Sequence, residues 1–209
     1  MEKKIRVVGL TGQTGAGKTE VSNIISLQGL DVINCDSVAH DVADKEKSCL
    51  ADLALEFSIL ILNPNGTLNR KKLSSIVFGN AEKLKRLNEI MFPYIKAEIY
   101  KMIENMRLKG IPVVILDAPT LFESELNLDC DFIISVTAPT EVRVSRIVIR
   151  DRMTDTMARK RIASQHDDDF FAKNSDFVIN NSGDLNDLKI NTLEAMEKMC
   201  NTLGRSVKN

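Results

Sequence analysis

The feature that most restricts what this chain can fold into is Gly12-Gln13-Thr14-Gly15-Ala16-Gly17-Lys18-Thr19, which fits the phosphate-loop pattern G-x-x-x-x-G-K-[ST]. The apolar run Ile5-Arg6-Val7-Val8-Gly9-Leu10 precedes it and reads as a buried strand, and a helical spacing follows. Strand, loop and helix in that order form the context in which the pattern has a physical task. Glycines let the backbone curl with positive φ so that successive N–H groups face an anion. A helix beginning near Gly17 adds its positive end. Lys18 has the reach to touch β- and γ-phosphates, and the Thr19 hydroxyl suits a Mg²⁺ that bridges the same groups. All eight residues, Gly12 to Thr19, are candidates for nucleotide binding.

Downstream, Val21, Ile24 and Ile25 make a helical stripe that stops at Gly29, and residues 30–34 read as a second strand. Asp36 then falls just past the carboxyl end of that strand, the edge where open α/β sheets bind ligands, and is the first catalytic candidate. Its alternative task is a helix N-cap. Residues 38–109 carry a mostly helical pattern interrupted by the turn signal Asn63-Pro64-Asn65-Gly66. Such a stretch inside a sheet protein suits a substrate-binding insertion or plain packing helices. Phe92-Pro93 marks an expected helix break, with a new helix over 94–108 and Pro93 in its first turn. Residues 111–117 are almost continuously apolar, as a parallel strand covered on both faces should be, and end on Asp117, which resembles a Walker B acid. Further strands are expected over 132–136 and 176–179, with helices over 140–149 and 185–203. Strands alternating with helices predict an α/β fold: a parallel five-stranded sheet flanked by helices.

Charge is distributed unevenly. The chain has 29 acidic and 28 basic residues and a formal charge of −1, which gives no reason to expect a nucleic-acid partner bound by bulk charge. Yet six of eleven arginines, Arg143, Arg146, Arg150, Arg152, Arg159 and Arg161, fall in one short segment. Arg143, Arg146 and Arg150 share a helix face, and guanidinium forks bind phosphate oxygens bidentately, so a lid closing over a nucleotide is expected. The alternative is a solvated face paired to Asp151 and Asp155. Interleaved aromatics, which an RNA-binding patch would use, are missing from the segment. Asp36 and Asp117 are suited to divide two tasks, accepting a proton from an alcohol nucleophile and orienting Mg²⁺ through water. His40 and His166 read as surface or packing residues, and Asp167-Asp168-Asp169 as a solvated helix start. Four scattered cysteines without a C-x-x-C pair imply neither zinc nor a disulfide framework. Met1-Glu2-Lys3-Lys4 runs directly into the first strand and no apolar run reaches membrane-spanning length, so a cytoplasmic chain with no membrane association is expected.

Leu10-Thr11-Gly12 with Gly15-Ala16-Gly17-Lys18-Thr19, followed by Cys35-Asp36-Ser37-Val38-Ala39-His40, closely resembles the opening of the dephospho-CoA kinase family. Further matches run in order through Leu68-Asn69-Arg70, Val77-Phe78, Pro93-Tyr94-Ile95 and Asp117-Ala118-Pro119-Thr120-Leu121-Phe122-Glu123. They continue through Arg146, Arg150-Asp151, Arg161-Ile162-Ala163-Ser164-Gln165 and Asn181-Ser182-Gly183, so that essentially the whole chain is covered. The chain departs from the family pattern at Asn34 and Asn180, where Asp is usual, at Phe92, commonly His, and at Thr120, commonly Leu.

The resemblance implies transfer of the ATP γ-phosphoryl group to the ribose 3′-hydroxyl of dephospho-CoA, giving coenzyme A and ADP. It implies Asp36, Lys18 and Arg146 as catalytic, Arg150 and Asn181 as further nucleotide contacts, and Thr19 and Asp117 as Mg²⁺ ligands. A single P-loop kinase domain follows, with a core over about 1–37, 110–140 and 174–209, a helical acceptor-binding region over about 38–109 and a lid over about 141–173. The implied partners are ATP and dephospho-CoA, and the implied state is a monomer or small homo-oligomer. Two alternatives stay open: another P-loop small-molecule or nucleoside monophosphate kinase, and a nucleotide-dependent switch.

Overall fold

Uninterrupted apolar runs too short for helices become parallel strands, and the longer periodic stretches between them become helices. In chain order these are β1 (Arg6–Gly12), α1 (Lys18–Leu27), β2 (Asp31–Asn34), α2 (Cys35–Lys45), α3 (Lys47–Phe57), α4 (Arg70–Val77), α5 (Ala81–Leu108), β3 (Val113–Asp117), β4 (Phe132–Thr137), α6 (Thr140–Asp151), α7 (Asp155–Ala163), α8 (Asp168–Asn174), β5 (Phe177–Asn180) and α9 (Leu185–Leu203). The computed structural model describes residues 5–77 and 79–204. Met1-Glu2-Lys3-Lys4, on which the expectation of no leader rests, and Phe78 of the Val77-Phe78 match lie outside the described residues.

The strands form one parallel sheet in the order β2-β3-β1-β4-β5, the α/β architecture expected from the sequence. Leu10 pairs with Asp117 and Gly12 with Val136, so the phosphate loop leaves the carboxyl edge of the sheet between β3 and β4. All five residues of β3 are buried. That strand begins at Val113 rather than 111 because Pro112 has no N–H to donate; its carbonyl instead accepts the Arg6 N–H at 2.9 Å before the regular ladder starts. Val21 and Ile25 of α1 and Leu188, Met196 and Met199 of α9 close over Val8, Leu10, Ile134 and Val136 to make the main core. A smaller cluster, Val144, Ile147 and Ala158, joins α6 to α7. Among the described residues no helix is long and apolar enough to cross a membrane.

Asn34–Lys109 forms a compact unit of its own, separate from the remainder of the chain. Within it α5 packs on α2, α3 and α4. Asn63-Pro64-Asn65-Gly66 makes the turn that its composition requires, with Asn63 N–H donating to Thr67 C=O at 2.8 Å and Gly66 N–H to Asn63 C=O at 2.9 Å. The expected break at Phe92-Pro93 is overturned: α5 is a single helix of 28 residues with Pro93 inside it. Proline removes one i→i−4 bond, here to the carbonyl of Glu89, and both Pro93 and Glu89 are exposed, so water can take the freed carbonyl. Buried Ile95 and Ile99 hold the helix on its neighbours across that gap. Tyr94 donates its hydroxyl to Asp52 at 2.6 Å, and that bond together with desolvation pushes the phenol up to about 12.

Restoring the missing donor should therefore stabilise the chain. Pro93→Ala is expected to raise the unfolding free energy in urea by about 1–3 kcal/mol. A lower value than the parent's would show that the proline ring contributes packing that outweighs the lost hydrogen bond.

Candidate active site

The phosphate loop is crowded on both sides, and its glycines answer to particular neighbours. Gly12 has φ 152°, and a Cβ there would sit 2.3 Å from the Val136 carbonyl oxygen. Gly17, the N-cap of α1, has φ 99°, and a Cβ there would sit 2.3 Å from Asn181 Nδ2. Two further bonds pin the loop to the sheet. Gln13 N–H donates to Val136 C=O at 3.0 Å, and Asn181 Nδ2 donates to Ala16 C=O at 2.7 Å. Asn181 is itself fixed, 5% exposed, with its backbone N–H on Thr137 C=O at 2.8 Å. The first turn of α1 receives no side-chain cap at Gly17, which leaves its N–H donors for an anion.

At the centre, Lys18 Nζ makes an ion pair with Asp117 Oδ1, the two side chains being 15% and 4% exposed. Asp117 is carried there by the end of β3, next to Leu10 of β1. Leaving either charge buried without a partner would be costly, so each keeps the other in place. Thr19 is exposed at the second position of α1.

The arginine segment does not act as one surface. Arg143 is 5% exposed and donates from Nε to the Ala138 carbonyl at 3.0 Å, while its Nη1 is buried without a hydrogen-bond partner among the described residues. Burial pulls its guanidinium below the ordinary arginine range, and Asp168 works in the opposite direction. Arg146 is half-buried over the phosphate loop, with Nη1 3.4 Å from both the Gly15 and the Ala16 carbonyl oxygens. Arg150 is exposed and grips Asp151 at 2.7 and 2.9 Å, and Arg161 joins the same carboxylate at 2.7 Å. Arg159 pairs with Asp155 at 2.8 Å and with Glu141 at 2.7 Å. Arg143, Arg146 and Arg150 share one face of α6 as expected, but of the three only Arg146 meets the loop carbonyls, Arg143 being turned to Ala138 and Arg150 to Asp151. Arg150 lies four residues, about 6 Å along the helix axis, beyond Arg146, where it meets Asp151.

Asp36 stands in the other unit, in the first turn of α2, exposed and without a side-chain partner among the described residues. The N-cap task belongs to Asn34, whose Oδ1 accepts the Ser37 N–H at 2.8 Å. Asn caps a helix as well as Asp does, so the departure from the family pattern at Asn34 leaves this start of α2 intact. Asn180 ends β5 exposed, and its carbonyl accepts a long 3.5 Å contact from Asn191.

Two contacts on the loop were not legible in the sequence. Thr14 N–H donates to Gln165 Oε1 at 2.9 Å, and the buried Gln13 donates from Nε2 to Asp168 Oδ1 at 2.7 Å. Asp167 does start α8, accepting the Phe170 N–H at 2.8 Å, but Asp168 is turned to the loop rather than only solvated. The available signal was the aromatic pair Phe170-Phe171 directly after the acidic run, which gives a short helix something to bury.

Comparison with known proteins gives this geometry its place. A family model for dephospho-CoA kinase matches residues 6–187. The chain belongs to the dephospho-CoA kinase family. A dephospho-CoA kinase of Fusobacterium nucleatum is 37% identical over 199 residues, 95% of this chain and 99% of that one. One of Arabidopsis thaliana is 35% identical over 184 residues, 88% and 79% of the respective chains. Among solved structures, a Thermus thermophilus protein has a TM-score of 0.79 at 26% identity, covering 94% of this chain and 98% of that one. A dephospho-CoA kinase from Campylobacter jejuni shares the fold with a TM-score of 0.62 at 24% identity, covering 93% and 97%. Membership in the family makes the chain an ATP-dependent kinase.

The crowding at Gly17 sets a test of the loop. Gly17→Ala is expected to weaken ATP binding by about tenfold or more, measured by calorimetry, because an added Cβ strains φ and displaces Asn181. Unchanged affinity would show that the loop can relax away from Asn181 without loss.

Proposed function

We propose that this chain transfers the γ-phosphoryl group of ATP to the ribose 3′-hydroxyl of dephospho-CoA, with coenzyme A and ADP as products. The observation that carries the reading is the phosphate loop with Lys18 held on Asp117 at the sheet edge, in a chain of this family. The 3′-oxygen attacks the γ-phosphorus, the bond from that phosphorus to the β,γ-bridging oxygen breaks, and ADP leaves with the electron pair. The hydroxyl proton passes to Asp36, an exposed carboxylate with no side-chain partner among the described residues.

Lys18 has two stations in this reading. Without nucleotide it neutralises Asp117; with nucleotide it moves to the β- and γ-phosphates, where a compact ammonium offsets developing charge. Arg146, poised over Gly15 and Ala16, adds a second cation on the same side. Asn181 acts through the loop by holding the Ala16 carbonyl, and Arg150 reaches nucleotide only by giving up Asp151. The residues 141–173 serve as the lid and the Asn34–Lys109 unit as the acceptor-binding part.

Thr19 and Asp117 fit Mg²⁺ by their chemistry, an exposed hydroxyl and a carboxylate, both oxygen donors. Among the described residues no three His, Cys, Asp or Glu side chains gather to hold a metal, and Thr19 and Asp117 are the residues that would hold an ion here. When bound it would supply neutralisation of the phosphate charge.

Incubation with ATP and dephospho-CoA should yield a product whose phosphorus resonance and mass place one new phosphate on the 3′-position. Preferential phosphorylation of a nucleoside monophosphate or a small alcohol would overturn the assignment. Asp36→Asn is expected to lower kcat by about a hundredfold or more while ATP affinity stays within about twofold. Lys18→Ala should instead damage both affinity and rate. Near-normal turnover in the Asp36 variant removes that carboxylate from proton transfer.

A further inference from the structure

One short segment, residues 165–171, touches both loops at the carboxyl edge of the sheet. On the phosphate loop, Gln165 Oε1 accepts the Thr14 N–H at 2.9 Å and Asp168 Oδ1 accepts Gln13 Nε2 at 2.7 Å. Gln13 is 2% exposed, and Asp168 is the acceptor for its Nε2, while its Oε1 is buried without a partner among the described residues. The Asp168 charge also offsets part of the lowering that burial imposes on the Arg143 guanidinium. On the loop after β3, Phe170 meets Phe122 edge to face at a centroid distance of 5.0 Å, and Phe171 lies 6.1 Å from the same ring. His166 stacks on Phe170 at 3.6 Å and its Nε2 is 3.7 Å from Glu123 Oε1. Phe171, 5% exposed, anchors the segment, and α8 packs against β4 and β5.

We propose that Gln165 and Asp168 are positioning residues for phosphoryl transfer. They form a strap that holds the Thr14 N–H and the Gln13 side chain, while Phe170 and His166 hold Phe122 and Glu123, six residues at most past Asp117. The strap sets the spacing between the loop that carries Lys18 and the strand end that carries Asp117. In-line transfer tolerates little misplacement, so residues that touch neither substrate can still govern donor binding and rate. The inference rests on the reading of Gly12–Thr19 as the nucleotide cradle and of the chain as an acceptor-specific kinase; the test separates it from the second of these.

The full chain carrying Gln165→Leu, Asp168→Ala or Asp168→Asn is titrated with a non-hydrolysable ATP analogue by calorimetry, with no acceptor present, and its kcat and both KM values are measured. Gln165→Leu and Asp168→Ala should weaken analogue binding by about fivefold or more, the loss of one charge- or amide-supported hydrogen bond. The same variants should lower kcat/KM for ATP in step while the KM for dephospho-CoA stays within about twofold. Asp168→Asn keeps an oxygen that accepts Gln13 Nε2 and should restore most of the affinity, a rescue that general damage to folding would not produce. Gln165 and Asp168 are both exposed, so the variants are expected to fold, which their unfolding temperatures check. Analogue affinity equal to the parent's in both truncations overturns the strap, and so does tighter binding, which would mean that Gln165 blocks the loop. If the parent binds the analogue but makes no coenzyme A, the acceptor assignment fails while the binding arm still decides the strap.

Discussion

The buried ion pair of Lys18 with Asp117 is the interaction on which the site depends. It joins the residue after the phosphate loop's last glycine to the last residue of β3, and the parallel pairing of Leu10 with Asp117 makes that meeting possible. Neither charge could be this enclosed alone, since desolvation of a lone ammonium or carboxylate costs several kcal/mol. The pair therefore keeps a reactive cation both dehydrated and in place until a more highly charged partner arrives. In the proposed reaction a triphosphate is that partner, and its arrival frees the Asp117 carboxylate.

Around this pair the loop is held by groups that never need to touch a ligand. Asn181 takes the Ala16 carbonyl, the β4 backbone takes Gln13 N–H, and Gln165 takes Thr14 N–H. Each satisfies a polar group that would otherwise compete for the phosphate or turn the loop inward. Ala16 N–H closes the turn on Gln13 C=O at 3.1 Å, and the amides at the uncapped start of α1 are left to face an anion. Gly12 and Gly17 permit this crowding because the space where a side chain would go is filled by Val136 and Asn181.

The sheet and the loop were legible from the sequence because both are written locally. Near-continuous apolar runs become strands buried on both faces, and the loop pattern fixes backbone shape residue by residue. What was not legible depends on partners distant in the chain. Pro93 reads as a break until the packing of α5 against three neighbours outweighs one lost hydrogen bond. Asp168 reads as a solvated helix start until Gln13, 155 residues away, proves to need an acceptor. Arg143, Arg146 and Arg150 share a helical face by spacing, yet the loop is short enough that only one of them lies over its carbonyls. The resemblance to dephospho-CoA kinases named the right family from motifs spread along the chain. It carried no information on which of the matched residues touch one another.

The most direct test of this account is a crystal structure of the full chain with a non-hydrolysable ATP analogue, Mg²⁺ and dephospho-CoA bound together. The account predicts Lys18 Nζ withdrawn from Asp117 and within hydrogen-bonding distance of β- and γ-phosphate oxygens, with the ribose 3′-hydroxyl on the Asp36 carboxylate. A triphosphate seated in the loop while Lys18 remains on Asp117, or a 3′-hydroxyl turned away from Asp36, would contradict it.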